Sequence, residues 1–122
     1  MKKGRILVGT IALVLAVAAA AAPSARAADS EISQSYLIYC SKCHGPDGHG
    51  DGPNAATLKT KPRDFTDCAT MKKIDDDTIF KAIKEGGAAV NLPNDMPPWG
   101  QAFDDSEIRQ LSTFVRSFCG KS

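Results

Sequence analysis

The sequence predicts an all-α domain, and three observations carry the prediction. Apolar residues recur at helical spacing in two places: Ile32, Tyr36, Tyr39 and Cys40 form one stripe, and Ile108, Leu111, Val115 and Phe118 another. Helix start signals stand in order, with Asp75-Asp76-Asp77 ahead of Ile79, Phe80 and Ile83, and Asp104 spaced from Glu107 as in a capping box. Nowhere does a four-residue alternating run mark a strand.

The chain has 122 residues, enough for one small domain. Its first 27 residues read as an address rather than as fold. Met1-Lys2-Lys3-Gly4-Arg5 is a positive n-region, residues 6–22 carry no charge, and Ala25-Arg26-Ala27 supplies the small residues of a cleavage site. The apolar run is shorter than the roughly 20 residues that a membrane span needs, so no stable membrane insertion is expected after cleavage. The mature domain is then 28–122, working in the periplasm, where thiols can pair. Without the leader, 11 Lys and Arg face 14 Asp and Glu, a net charge of −3. A mildly acidic surface is a poor match to a phosphate backbone, which excludes nucleic acid as the partner.

After the first stripe comes Gly45-Pro46-Asp47-Gly48-His49-Gly50-Asp51-Gly52-Pro53, too rich in glycine and proline for regular structure. It is no phosphate cradle, because no Gly-Lys-Ser/Thr ends it, and no EF-hand, because the terminal glutamate is missing. Residues 54–58 suit a short helical turn and residues 60–65 an extended connection. The triple aspartate opens a capped helix that Gly86-Gly87 closes, and its acids suit the positive end of the helix dipole better than a metal. Residues 88–102 hold three prolines and read as loop, before the final amphipathic helix.

The four cysteines divide into two jobs. Cys40-Ser41-Lys42-Cys43-His44 is the C-x-x-C-H attachment sequence of a c-type haem. Two thiols on one helical turn can add to the porphyrin vinyl groups, and the adjacent imidazole can then ligate the iron. A thioredoxin-like dithiol or a zinc site would be the rivals, but zinc wants four ligands and only His49, Cys68 and Cys119 are left to complete one. Cys68 and Cys119 are most simply a disulfide, with two buried free thiols as the alternative. A core this poor in large apolar side chains implies that the haem is also part of the fold.

The second axial ligand decides the chemistry. His49, five residues past His44, is tethered to the same side, and Met71 reads as packing. Met96, in Asn94-Asp95-Met96-Pro97-Pro98-Trp99-Gly100, lies 52 positions after His44, far enough for the chain to cross the haem edge. The two prolines after it stiffen the backbone that would hold a weak thioether ligand. An open or lysine-ligated site is the alternative.

On Cys40-Ser41-Lys42-Cys43-His44-Gly45, Gly50-Asp51-Gly52-Pro53, Pro62-Arg63-Asp64-Phe65 and Met96-Pro97-Pro98-Trp99, the chain resembles a class I mono-haem cytochrome c of the bacterial, cytochrome c6-like or cbb3-oxidase-subunit-like kind. The resemblance runs from about Ser30 to Phe118 and implies a small cytochrome c fold wrapped around one covalent haem c and its iron. It implies that Pro53 offers a carbonyl to His44, that Arg63 and Trp99 bond the haem propionates, and that Tyr36 and Phe114 meet where the first and last helices cross. A glycine is usual in the family where Ile32 stands, so a wider or shifted crossing is expected. The implied function is one-electron carriage between transient redox partners by a monomer that is not an enzyme, with iron ligated by His44 and Met96. The alternatives are a gas-binding or peroxide-active haem protein with an open distal site, and a fixed haem subunit of an oxidoreductase complex.

Overall fold

The computed structural model describes residue 1 and residues 25–120, so the charged and apolar parts of the expected signal peptide lie outside the described residues. Five α-helices and four short π or 3₁₀ segments follow one another, with no strand among the described residues. None of these helices is long and apolar enough to cross a membrane. Helix α1 (Ala25–Ser35) runs into a π-helical turn at Tyr36–Cys40 and then into α2 (Ser41–His44). A 3₁₀ turn at Ala55–Thr57 meets the short helical turn expected there. A four-residue helix, α3 (Cys68–Met71), was not legible in the sequence.

Helix α4 (Asp76–Glu85) starts as its acids predict. The Asp75 carboxylate accepts from the Thr78 N–H, and its hydrogen bonds to Thr78 hold it below the ordinary carboxylate range. Gly86, at φ +88°, ends the helix in a conformation that a side chain would strain. A 3₁₀ turn, Gly87–Val90, leads into the proline loop. Helix α5 (Asp105–Ser117) carries the predicted capping box in full: Asp104 accepts from the Glu107 N–H at 2.9 Å, and Glu107 accepts from the Asp104 N–H at 2.7 Å.

The core forms where these elements converge. Ile108, Leu111 and Val115 of α5 and Phe118 just past it are buried, as their spacing predicts, in one core with Ile79 and Ile83 of α4, Ile32 of α1 and Tyr36 of the π turn. Tyr36 and Phe114 do meet at the crossing, ring centroids 5.2 Å apart. Arg116 fixes α5 to the neighbouring turn, donating to the carbonyls of Met71, at 2.9 Å, and Ile74 and to the Asp76 carboxylate. One guanidinium thereby joins α5 to the end of α3, to the turn after it and to the first turn of α4. Met71 is buried at 2 % exposure, as packing requires.

The first stripe departs from expectation at one residue. Tyr39 is 44 % exposed, while Ile32 and Tyr36 are buried. The cause is the π turn, in which the Ser41 N–H reaches back to the Tyr36 carbonyl instead of that of Leu37. One extra residue in the turn rotates everything after it, so α-helical spacing no longer identifies the inward face. Tyr39 packs instead on Trp99 and Phe103, centroids 5.5 and 5.4 Å away.

Candidate functional site

The C-x-x-C-H sequence occupies the end of the π turn and the whole of α2, which places Cys40, Cys43 and His44 on successive positions of one tight helical segment. Both cysteines are free and half-buried. Burial, with Cys43 beside it, pushes the Cys40 thiol up to about 11. That is opposite to the shift that activates an attacking redox thiol.

The glycine loop folds back onto this segment. The N–H groups of Gly50, Gly52 and Asn54 donate to the carbonyls of His44, Cys43 and Lys42 at 2.8, 3.1 and 2.8 Å. They satisfy the carbonyls that α2 leaves unpaired at its end. Gly52 is obligatory here, because a Cβ on it would meet the Ser41 carbonyl and the Lys42 carbonyl oxygen and carbon.

His44 is held by the extended connection after the loop. Its Nδ1 lies 3.1 Å from the Arg63 carbonyl, and its ring stacks on Phe65 at 4.4 Å between centroids. This corrects the expectation for Pro53. Pro53 is exposed, in a turn that docks on α2 through its neighbours' N–H groups, so its segment presents donors to the motif helix while residues 61–65 reach the ring. With Nδ1 committed as donor to a carbonyl, Nε2 is left as the metal-ligating nitrogen. Burial lowers the His44 pKa against the opposing effect of the Arg63 carbonyl, which favours the neutral imidazole that metal binding requires.

The loop bearing Met96 is seated on the end of α4. Gly87 N–H donates to the Met96 carbonyl at 3.0 Å, Trp99 N–H to Ile83 at 2.9 Å and Gly100 N–H to Lys84 at 3.0 Å. A Cβ on Gly87 would come within 2.7 Å of the Pro93 carbonyl, so the glycine pair read as a helix stop is also the seat of this loop. Met96 and Trp99 are half-buried against the core. Beside Met96, Asp95 Oδ2 is buried without a hydrogen-bond partner. Two free thiols, a neutral imidazole with one nitrogen committed, and a thioether on a rigid loop form a donor set that fits a haem c.

Residues that could have built a zinc site are engaged elsewhere. His49 is exposed, its Nδ1 3.1 Å from the Thr66 hydroxyl, and Cys68 and Cys119 lie together with Cα atoms 5.3 Å apart. Among the described residues no three His, Cys, Asp or Glu side chains gather as a metal-binding group. A groove of about 510 Å³ lined by Ser33, Leu37, Asp47, His49, Thr66 and Phe114, among others, includes none of the motif residues or Met96.

The comparisons agree with this geometry. A family model described as "Cytochrome C oxidase, cbb3-type, subunit III" matches residues 27–115. Among solved structures, the KustC0563 c-type cytochrome is similar at 30% identity and a TM-score of 0.59, over 70% of this chain and 94% of that one. No curated protein matches. The helical fold, the C-x-x-C-H segment and these two likenesses together place the chain in the class I c-type cytochrome family, whose members bind haem and carry electrons.

Proposed function

We propose that the mature chain is a periplasmic one-electron carrier with a single haem c, attached through Cys40 and Cys43 and ligated by His44 and Met96. The observation that carries this reading is the fixing of His44: Nδ1 on the Arg63 carbonyl, the backbone carbonyl on Gly50, and the ring on Phe65. Nothing in a bare dithiol site calls for such restraint. The bound group supplies a one-electron ferric/ferrous couple. The chain's part is to orient the imidazole, to hold the Met96 thioether on a loop stiffened by Pro97 and Pro98, and to limit water at the metal. The side chains of Arg63 and Trp99 are assigned to the propionates. Ferric and ferrous absorption spectra with a redox titration test the reading, which expects one reversible one-electron wave and no catalytic turnover.

Location rests on the leader-like N-terminus and on the cysteine pair. We assign Cys68 and Cys119 to a disulfide, 51 residues apart in sequence. Chain-entropy reasoning for a loop of that length gives about 4 kcal/mol as the most that such a bridge contributes. The Cys68→Ser/Cys119→Ser protein is therefore expected to lose up to ~4 kcal/mol in urea unfolding. Two free thiols in the denatured wild-type protein, besides any on Cys40 and Cys43, contradict the bridge.

The family model's description favours a second reading, a fixed haem subunit of an oxidase. The two differ in assembly rather than chemistry. Size-exclusion of the native extract separates them: a carrier elutes at the mass of a monomer, a subunit with a large complex.

A further inference from the structure

We infer that Tyr36 is a positioning residue for His44, its hydroxyl tying the crossing of the first and last helices to the backbone just past that histidine. The inference rests on the reading of His44 as an iron ligand and adds to it a determinant outside the site.

Tyr36 is wholly buried, with its ring against Phe114 and Phe118 at 5.2 and 5.1 Å between centroids. Packing at that crossing asks only for an aromatic ring, and phenylalanine has one. The hydroxyl is an added polar group in the core, which is costly unless it is bonded. It is bonded to one specific atom, donating at 2.8 Å to the carbonyl of Gly45. The Tyr36 backbone carbonyl accepts from the Ser41 N–H. One residue therefore holds the helical turn bearing Cys40, Cys43 and His44 near its start and just beyond its end.

The far end matters most. Gly45, at φ +78°, turns the chain immediately after His44, and its carbonyl accepts both from Tyr36 and, at 3.2 Å, from the Gly48 N–H. The Gly48 bond is local to the loop. Among the described residues, the tyrosine is what bonds that carbonyl to the core. The other hydrogen bonds on His44, Gly50 on its carbonyl and Arg63 on its ring, come from the loop and the extended connection, while Phe65 of the core stacks on the ring. Without the hydroxyl the motif helix keeps its loop contacts and its stacking on Phe65, and loses the hydrogen bond that ties the backbone after His44 to the helix crossing.

The test uses the haem-loaded protein. In proton NMR of the ferric state, the spread of the haem methyl shifts reports the orientation of the axial ligands. Tyr36→Phe is expected to keep covalent haem and a native helical spectrum, while changing the methyl pattern and shifting the midpoint potential. Val115→Ala, a core change elsewhere on α5, is expected to lower the melting temperature and leave the methyl pattern as in the wild type. A second arm replaces Tyr36 by 3-fluorotyrosine in a Tyr39→Phe background. That ring is nearly the same size and its hydroxyl a stronger donor, and the methyl shifts should move in the sense opposite to Tyr36→Phe. Wild-type methyl shifts and midpoint in both Tyr36 variants overturn this inference alone; a wild-type protein that carries no haem overturns it together with the reading beneath it.

Discussion

Met96→Ala is expected to make the ferrous, haem-loaded protein a rapid binder of carbon monoxide and to abolish the weak ferric band near the red end of the spectrum that would mark sulfur on iron. The expectation follows from how the loop is built. Three backbone bonds, from Gly87, Trp99 and Gly100, fix the Met96 segment to the end of α4 without help from the methionine side chain. Removing the side chain beyond Cβ therefore leaves the loop's backbone seat in place while taking away the thioether and its packing on the core. Alanine has no donor, so a haem held here would be left open to water or an added gas on the Met96 side. Loss of the thioether should also lower the midpoint potential, since Met/His ligation favours the ferrous state relative to harder ligands. The expected change in carbon monoxide binding is from none on the stopped-flow timescale to complete within it. An unchanged ferric spectrum in Met96→Ala assigns the ligand elsewhere.

The second large effect falls on folding. The Cys40→Ala/Cys43→Ala protein, unable to attach haem, is expected to be largely unfolded by circular dichroism. A domain of this size has a net stability of about 5–15 kcal/mol. Only ten apolar residues are buried among those described, and the largest fully buried are Tyr36, Met71, Ile108 and Leu111. Burying a large aliphatic side chain yields about 1.5–3 kcal/mol. A haem buries several such equivalents, and its loss removes them together. Leu37, Ile38 and Tyr39, next to the motif, are already half exposed and add little. A native-like helical spectrum with a cooperative melt in this variant counts against haem as a structural element.

What could be read from the sequence divides by the range of the interaction. The caps on α4 and α5 were legible because Asp75 reaches Thr78 and Asp104 reaches Glu107 within one turn. The buried stripe of α5 was legible because an uninterrupted α-helix keeps its period from Ile108 to Val115. The first stripe failed at Tyr39, because a π turn changes the period and leaves no mark in residue spacing. The partner of His44 was misplaced from Pro53 to Arg63 for a related reason: a backbone carbonyl is presented by the path of the chain, and residue identity says little about it. The family-based expectation nonetheless singled out Arg63, though for its side chain. The nearness of Cys68 to Cys119 and of Tyr36 to Gly45 needed the tertiary fold. At the crossing, tyrosine and phenylalanine serve packing equally, so nothing in the pattern announced the hydroxyl. Ile32, where a glycine is usual in the family, is buried in the core.

The central claim is a haem fastened to Cys40 and Cys43, and the mass of the denatured mature polypeptide tests it most directly. Produced with the haem-attachment machinery and measured after unfolding in acid, the chain is predicted to exceed its bare sequence mass by one haem, and to lose that increment in Cys40→Ala/Cys43→Ala. A denatured wild-type chain at the bare sequence mass, or one whose red colour washes away on unfolding, contradicts the account.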